Sequence, residues 1–158
     1  MHKNSLKLMA EFVATLPPPP LRVIDIGALN VNGNYRDLFA NYEYVGADIV
    51  EGPNVDVVLH GPYDWRAGTD WDVAISGQCV EHVPDLAAWA REFGALLKPG
   101  GLACILVPWV WGEHRFPVDC WRVLPDGMAW LIETAGLVAI ETRKDGHDCV
   151  GLARKEAP

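Results

Sequence analysis

The alternation of short β-branched segments with amphipathic helical segments constrains the fold of this chain more than any other feature. The segment Leu21-Arg22-Val23-Ile24-Asp25-Ile26-Gly27 is apolar, β-branched and closed by glycine, which is typical of a buried strand. Residues 86–97 instead place their apolar side chains on one face of a helix. This alternation predicts a parallel sheet with helices on both faces. Strands are predicted over residues 21–27, 44–48, 55–59, 72–76, 102–107, 137–142 and 149–153, and helices over 6–16, 35–39, 86–97 and 126–135.

The last two predicted strands are joined only by a short turn at Asp145-Gly146. A parallel crossover needs about a dozen residues or more, so these two strands must be antiparallel. The sequence therefore predicts an α/β fold of three layers, in which a mostly parallel seven-stranded sheet ends in an antiparallel C-terminal hairpin.

The length of 158 residues fits one folded domain. The run Pro17–Pro20 ends the first helix, because proline can neither continue a helix nor donate a backbone hydrogen bond. We expect residues 1–20 to form an N-terminal helix and a proline-rich connector, and residues 21–158 to form a single domain.

The formal net charge of −8 argues against a general nucleic-acid binder, which needs a basic surface to neutralise phosphates. It is compatible with a small cationic ligand. The N-terminal residues lack the apolar segment of a secretory signal, and no run of about 18 apolar residues predicts a membrane span. The sequence therefore predicts a cytoplasmic protein with neither nucleic acid nor membrane as its partner.

None of the four cysteines has a neighbour at the close spacing of a zinc site or a redox dithiol. Cys104 and Cys149 lie in apolar runs and are expected to be buried thiols. Cys79 and Cys120 fall in predicted loops, where we expect a structural or incidental role. The sequence predicts no metal site.

Glycines and polar residues stand where the predicted parallel strands end, the edge at which open α/β sheets bind ligands. Asp25-Ile26-Gly27 leads into a polar loop whose amides favour a carboxylate, with a structural turn as the alternative. Asp48 can accept hydrogen bonds from the vicinal hydroxyls of a ribose, or can simply initiate the turn before Gly52-Pro53. After the fourth strand, Gly77 offers close backbone approach and Gln78 offers a polar contact.

The order of these segments resembles that of class I S-adenosylmethionine-dependent methyltransferases. The resemblance is carried by Asp25-Ile26-Gly27, Asp48, Asp72–Ser76, Glu81-His82-Val83 and Leu97–Gly101. A later stretch resembles a subgroup of small bacterial methyltransferases, through Val107-Pro108, His114–Arg122, Gly127 and Ala135-Gly136. The resemblance implies a Rossmann-like three-layer sandwich and S-adenosylmethionine as cofactor.

The resemblance also implies which residues hold the cofactor. The loop after the first strand would wrap the methionine moiety, Asp48 would hold the ribose, and Ile49 would pack on the adenine. Residues 61–63 would border the adenine edge, and residues 77–78 would lie under the sulfonium. The implied set is Asp25, Gly27, Ala28, Asn30, Gly33, Asp48, Ile49, Gly61, Pro62, Tyr63, Gly77 and Gln78.

Two departures from the family pattern affect these assignments. The first loop, residues 25–33, is longer than the usual Asp-x-Gly-x-Gly-x-Gly and lacks its middle glycine. His60-Gly61 stands where the family often has an acidic residue that meets the adenine amino group. The second departure indicates that backbone carbonyls, or Asp64, replace that carboxylate.

Methyl transfer from a sulfonium is an in-line displacement, for which a protein mainly supplies approach geometry. A hydroxyl acceptor also needs a general base. His114 is the first candidate, because it lies in the loop after the most hydrophobic strand and histidine titrates near neutrality. Asp119 can orient His114 or act itself, and His82 is the second candidate. The alternatives are a surface histidine at position 114 and a loop-fixing role for Glu81-His82.

The methyl acceptor is predicted only by class. Trp109 and Trp111 can form a lid or an apolar wall for an acceptor, cover the sheet edge, or take part in a homodimer contact. Arg115 and Arg122 can bind an anionic group or pair with Asp119 or Asp126. The family resemblance favours O-methylation of a small molecule or a glycan.

Two other functions compete with the methyltransferase. A nicotinamide-dependent oxidoreductase shares the sheet but requires Gly-x-Gly-x-x-Gly after the first strand, and this pattern is absent. A non-catalytic binding module on a degenerate methyltransferase scaffold is compatible with the short chain and the altered first loop.

Overall fold

A computed structural model describes residues 3–157. It contains a seven-stranded sheet in the order β3-β2-β1-β4-β5-β7-β6. Strands β1 to β5 run parallel, whereas β7 is antiparallel to both β5 and β6. The predicted fold class is therefore confirmed. The strands are β1 (Arg22–Ile26), β2 (Glu43–Asp48), β3 (Val57–Val58), β4 (Trp71–Gly77), β5 (Leu97–Pro108), β6 (Val138–Asp145) and β7 (Asp148–Arg154).

Three α-helices and two single 3-10 turns complete the chain within residues 3–157. The helices are α1 (Lys3–Val13), α2 (Leu86–Leu96) and α3 (Pro125–Thr134), and the 3-10 turns are Arg36–Phe39 and Val80–His82. None of the helices in the described part of the chain is long and apolar enough to cross a membrane.

The sheet separates two apolar layers, because alternate residues of each strand point to opposite faces. Along β1, Val23 joins the layer beneath α1, and Ile24 joins the layer beneath α2 and α3. Met9 and Phe12 of α1 are buried in the first layer. This packing attaches α1 directly to the sheet, so the N-terminal helix shares its core.

The first helix differs from the predicted span of residues 6–16, since it begins at Lys3 and ends at Val13. It begins earlier because Ser5 is buried and shares a hydrogen bond with the hydroxyl of Tyr35. It ends earlier because the hydroxyl of Thr15 donates to the carbonyl of Phe12 and competes with the helical pattern. Met1 and His2, which belong to the predicted N-terminal segment, lie outside the described residues.

Further differences from the predicted spans occur at β3, at β5 and at the helix predicted over residues 35–39. β3 is reduced to Val57–Val58 because Asp56 turns its carboxylate back onto the backbone N–H of Gly46 at 2.8 Å. β5 begins at Leu97 rather than at residue 102, since residues 97 and 71 already pair across the sheet. The helix predicted at 35–39 is only a 3-10 turn, Arg36–Phe39.

Candidate active site

The chain folds outward from β1 through β2 to β3 and then returns to β4 beside β1. The strand order therefore reverses between β1 and β4, and ligands of open α/β sheets bind at the carboxyl ends of the strands beside such a point. The predicted site residues follow the ends of β1 to β5, so the fold brings them to this one edge.

Gly27 directly follows β1 and has a left-handed conformation with φ +82°, which glycine adopts without steric cost. A Cβ at this position would lie 2.5 Å from the Sγ of Cys79. The loops after β1 and β4 therefore meet at Gly27, and Cys79 occupies the space that the missing side chain leaves open.

Asp25 lies buried beneath the first loop and contacts the sheet rather than solvent. Burial raises the pKa of its carboxyl group to about 7, although the hydroxyl of Tyr44, which donates to it at 2.5 Å, favours the charged form. Its direct partner is thus a side chain of β2, which places Asp25 as a support of the first loop.

Hydrogen bonds within the first loop and to neighbouring segments stabilise the remainder of this loop. The Oδ1 of Asn30 accepts a hydrogen bond from the backbone N–H of Gly33 at 2.7 Å. The buried Ala28 donates its N–H to Ala47, and its carbonyl accepts from the side chain of Asn54 at 2.8 Å. This longer loop is therefore ordered without the middle glycine of the family pattern.

Asp48 at the end of β2 is half-buried and accepts two backbone hydrogen bonds. Its Oδ2 accepts from the N–H of Leu29 at 3.1 Å, and its Oδ1 accepts from the N–H of Val50 at 3.0 Å. A carboxylate offers about four acceptor positions, so the pair of oxygens can still receive two hydroxyl groups. Beside it the apolar side chain of Ile49 is 51% exposed.

Residues 61–63 form the bend after β3. Gly61 has open space around it, and the hydroxyl of Tyr63 accepts from the backbone N–H of Asp85 at 2.9 Å. The carbonyl of Pro62 accepts from the indole of Trp65 at 3.0 Å. The carboxylate of Asp64 pairs with Arg66 at 2.9 Å, and the adenine partner at this bend stays a prediction.

Gly77 and Gln78 form the end of β4. The ring of Tyr35 packs against Gly77 where a Cβ would stand. Gln78 has φ +60°, an uncommon conformation for a residue with a side chain. Its amide donates to the buried Asp148 at 2.9 Å, and Asn4 donates to the second oxygen of the same carboxylate at 2.8 Å. The strained backbone at Gln78 is therefore stabilised through Asp148 of β7, whose carboxylate is itself held by Asn4 of α1.

The three catalytic candidates lie together in one cluster around a fourth residue, Glu81. The Nε2 atoms of His82 and His114 each lie 3.8 Å from the Oε1 of Glu81. The rings of the two histidines are perpendicular, with their centroids 5.0 Å apart. Asp119 lies behind His114, with its Oδ2 accepting from the backbone N–H of His114 at 2.7 Å.

Hydrogen bonds to backbone carbonyls orient both imidazoles. The Nδ1 of His82 lies 2.6 Å from the carbonyl oxygen of Val118, and the Nδ1 of His114 lies 3.1 Å from that of Gly112. Because a carbonyl only accepts, each Nδ1 carries the proton in the neutral ring and each Nε2 presents a lone pair. Burial lowers the pKa of His82, which favours that neutral form.

Glu81 is the member of the cluster that sequence reasoning missed as a functional side chain. It is fully buried, and no group among residues 3–157 donates a hydrogen bond to either carboxylate oxygen from another residue. Burial raises its pKa to about 8, although its own backbone N–H and the nearby Arg122 favour the charged form. Its only sequence signal is an acidic residue directly before His82.

The segment of residues 111–123 covers the loop after β4 because backbone hydrogen bonds join the two. The N–H of Cys120 donates to the carbonyl of Glu81 at 2.7 Å. Arg122 holds both oxygens of Asp119, at 2.6 and 2.7 Å, and this ion pair keeps the pKa of Asp119 well below its usual range. A shallow surface cleft of about 360 Å³ opens here, lined by Trp111, Glu113, Asp119, Cys120, Trp121 and Arg122.

Trp109 and Trp111, which follow β5, lie in two different environments. Trp109 donates its indole N–H to Gly146 at 3.0 Å and carries the ammonium of Lys144 over its ring, so it covers the β6–β7 turn. Trp111 lies in the cleft, and its ring meets His147 edge-on at 5.3 Å. Arg122 pairs with Asp119, and Arg115 with Glu113.

This is a class I methyltransferase fold. Its marks are the strand order, the antiparallel β7 and the parallel strands that end at one edge of the sheet. The family model described as "Methyltransferase domain" matches residues 1–142, and the chain belongs to this family. It is an S-adenosylmethionine-dependent methyltransferase, which removes the oxidoreductase from consideration. Comparison with curated proteins gives no match.

Several solved structures share the fold at low sequence identity. An N1-methyltransferase from Burkholderia thailandensis, with 1,6-didemethyltoxoflavin and S-adenosylhomocysteine bound, aligns at a TM-score of 0.77 and 20% identity, covering 97% of this chain and 79% of its own. A SAM-dependent methyltransferase from Methanosarcina mazei aligns at 0.73 and 12% identity, covering 93% and 98%. An O-methyltransferase family protein from Burkholderia thailandensis aligns at 0.67 and 17% identity, covering 96% and 56%.

The residues present fit an adenosyl cofactor at this edge. Asp48 retains acceptor capacity for a ribose diol, and the exposed Ile49 beside it offers an apolar surface to a purine. Gly27 follows β1 and Gly61 follows β3, so both lie after strands that end at this edge, and Gly61 has open space around it. The individual cofactor contacts of this set stay predictions.

Proposed function

We propose that this methyltransferase methylates a hydroxyl group of a small molecule or of a sugar, bound in the cleft that residues between 111 and 122 line. One observation carries the proposal: the Nε2 atoms of two imidazoles, each with its Nδ1 close to a backbone carbonyl, lie 3.8 Å from the single buried carboxyl group of Glu81. A hydroxyl, unlike a neutral amine, must lose its proton to become an effective nucleophile, and such a cluster favours that loss.

The bound S-adenosylmethionine supplies a methyl group that its sulfonium already activates. The side chains of this protein then have two tasks. Asp48 and the loop after β1 hold the adenosyl part, and His114, with His82, activates the acceptor hydroxyl. Asp119 acts as a positioning residue, since its carboxylate is occupied by Arg122 and by the backbone of His114.

The cleft suits a ring-shaped acceptor with polar substituents. Trp111 and Trp121 are each 42% exposed and stand beside charged side chains. An indole face packs against the apolar face of a sugar or an aryl ring, while polar neighbours meet its hydroxyls. The solved structures include both N- and O-methyltransferases, so the site rather than the fold favours oxygen.

The test measures transfer of a radiolabelled methyl group to panels of sugars, phenols and amines. We expect hydroxyl compounds to be labelled and His114→Ala to lower turnover by about 100-fold or more, the range for loss of proton-transfer assistance. Affinity for S-adenosylhomocysteine should stay unchanged in that variant. Glu133→Ala on the exposed side of α3 is the control and should keep wild-type turnover.

Two results would contradict the proposal. Labelling of amines alone would assign the site to nitrogen chemistry. Full turnover of His114→Ala on a hydroxyl acceptor would remove that histidine from the reaction. A chain that binds S-adenosylmethionine and labels no acceptor class would instead favour the non-catalytic module.

A further inference from the structure

The carboxylate of Glu81 and the two imidazoles have the composition of a metal site that the sequence did not predict. One Glu81 oxygen and one nitrogen from each of His82 and His114 all lie within 4.8 Å of one another. The side-chain exposure rises from 0% at Glu81 through 15% at His82 to 37% at His114. The cluster therefore reaches from a buried carboxyl group to a partly exposed imidazole, and Asp119, which contacts His114, also lines the cleft.

The orientation of the imidazoles matches that of metal-binding histidines. Such histidines almost always donate the other ring N–H to a carbonyl, a carboxylate or water, which fixes the ring and its tautomer. Val118 and Gly112 supply these carbonyls at 2.6 and 3.1 Å. Both partners belong to the segment that covers the site, so its folding orients the two ring nitrogens.

The buried carboxylate supplies the second, independent observation. A buried carboxyl group with no hydrogen-bond donor keeps its proton unless a partner charge or a metal ion stabilises the ionised form. Arg122, the nearest guanidinium, is already held by Asp119 at 2.6 Å. A cation between Glu81 and the two Nε2 atoms would satisfy all three groups at once.

We propose that Glu81, His82 and His114 bind one divalent transition-metal ion, with its remaining coordination positions directed toward the acceptor cleft. Two imidazoles and one carboxylate are the donor set of catalytic zinc sites and of non-haem iron sites, whereas magnesium prefers oxygen donors alone. With the ion bound, the Nε2 of His114 is a ligand and no longer a base, and the cation itself favours the deprotonated form of a bound hydroxyl. This role in holding the acceptor oxygen rests on the proposed methylation of a hydroxyl group. The binding of the ion does not rest on it.

The required rearrangement is small. Bonds of about 2.0 to 2.2 Å place neighbouring donors roughly 3 to 3.5 Å apart, against 3.8 Å between Glu81 and each Nε2. His114 lies on the partly exposed segment, so its ring can close the remaining distance. The backbone of Glu81 is anchored by the hydrogen bond from Cys120 to its carbonyl, so the approach can come from side-chain rotation alone.

The experiment titrates the chelator-treated, tag-free full chain with Zn²⁺ and with Co²⁺, by calorimetry and by the visible absorption of cobalt. We expect saturable binding of one ion per chain, a cobalt band typical of nitrogen ligation, and much weaker binding of Mg²⁺. Glu81→Gln and His114→Ala should each weaken Zn²⁺ binding by about 100-fold or more. His147→Ala, a histidine outside the cluster, should bind the ion as the wild type does.

The outcomes separate this inference from the proposed function, because metal binding is measured without cofactor or acceptor. Absence of binding at millimolar metal overturns the inference, as does a loss below tenfold in both Glu81→Gln and His114→Ala. If Glu81→Gln does not fold, as judged by circular dichroism, His114→Ala and His82→Ala decide the question. Hydroxyl methylation that survives chelation would retain the proposed function and reject the ion's role in it.

Discussion

Asp48 has a structural role in the fold and a predicted role in binding the cofactor. Its two oxygens accept backbone hydrogen bonds from Leu29 and Val50, which fixes the loop after β1 against the end of β2. The same carboxylate retains capacity for the ribose. A change at this residue therefore affects the loop and the ligand together.

Asp48→Ala should weaken S-adenosylhomocysteine binding by about 1–3 kcal/mol, the range for loss of a charged hydrogen-bond partner. Isothermal titration calorimetry measures this directly. Asp70→Ala, in the exposed loop before β4, is the matched control and should bind with wild-type affinity. Unchanged affinity in Asp48→Ala would remove the ribose assignment.

Asp25 predicts a pH dependence of stability. Burial raises its pKa to about 7 in the folded state, whereas the unfolded chain titrates near the ordinary value of about 4. Between these values the folded state binds more protons than the unfolded state. The contribution of Asp25 to the free energy of unfolding therefore falls as pH rises through this window, by up to about 4 kcal/mol, and becomes level above pH 7.

Asp25→Asn removes this titration and should reduce the slope between about pH 5 and 7, and the slope that remains comes from Glu81, whose pKa is also raised, to about 8. Urea unfolding at half-unit intervals of pH measures the slope. Asp126→Asn, an exposed acidic residue of α3, should keep the wild-type slope. An equal slope in Asp25→Asn would show that the buried carboxyl group does not retain its proton.

The helices contain two glycines with opposite roles. Gly94 in α2 packs against the backbone carbonyl of Ala135 after α3, so a side chain there would collide with backbone. Gly127 in α3 has only the Cγ1 of Val123 near its missing Cβ, at an ordinary 3.6 Å. Helix propensity alone would treat the two positions alike.

Gly94→Ala should destabilise the protein by about 1–3 kcal/mol through overpacking. Gly127→Ala should stabilise it by about 0.5–1 kcal/mol, because glycine is a poor helix former. Chemical unfolding of both variants gives the two free energies. Equal signs would show that α2 and α3 are not held at this close approach.

Elements defined by local periodicity could be predicted from the sequence. The helix expected at 86–97 is Leu86–Leu96, and the hairpin turn at Asp145-Gly146 is present. The length of β3 and the limits of α1 were not predictable, because they depend on Asp56 reaching β2 and on Ser5 meeting Tyr35.

The cluster around Glu81 could be predicted only in part for the same reason. His82 and His114 were identified by residue type and by their place after a strand. Their convergence depends on residues 111–123 folding back onto the loop after β4, through contacts such as that between Cys120 and Glu81. Such a long-range contact leaves no periodic pattern in the sequence.

At the scale of the whole molecule, α1 is a structural part of the methyltransferase core. Leu8, Met9 and Phe12 are 3%, 0% and 5% exposed beneath the sheet. Each such side chain contributes about 1.5–3 kcal/mol by burial, so the three together rival the usual stability of a domain, about 5–15 kcal/mol.

Deletion of residues 1–20 should therefore abolish the cooperative thermal transition that circular dichroism detects. Lys7→Ala changes an exposed residue of the same helix and should leave the transition within a few degrees of wild type. A truncated chain that melts cooperatively at the wild-type temperature would show that residues 21–158 fold by themselves.

β7 lies between β5 and β6 in the sheet although it follows both of them in the chain. The pairing of β5 with β7, and the hydrogen bond from Gln78 to Asp148, therefore form only after residues 148–154 have been synthesised. We therefore expect the carboxyl edge of the sheet to be completed late in folding on the ribosome, with an unpaired strand edge exposed until then.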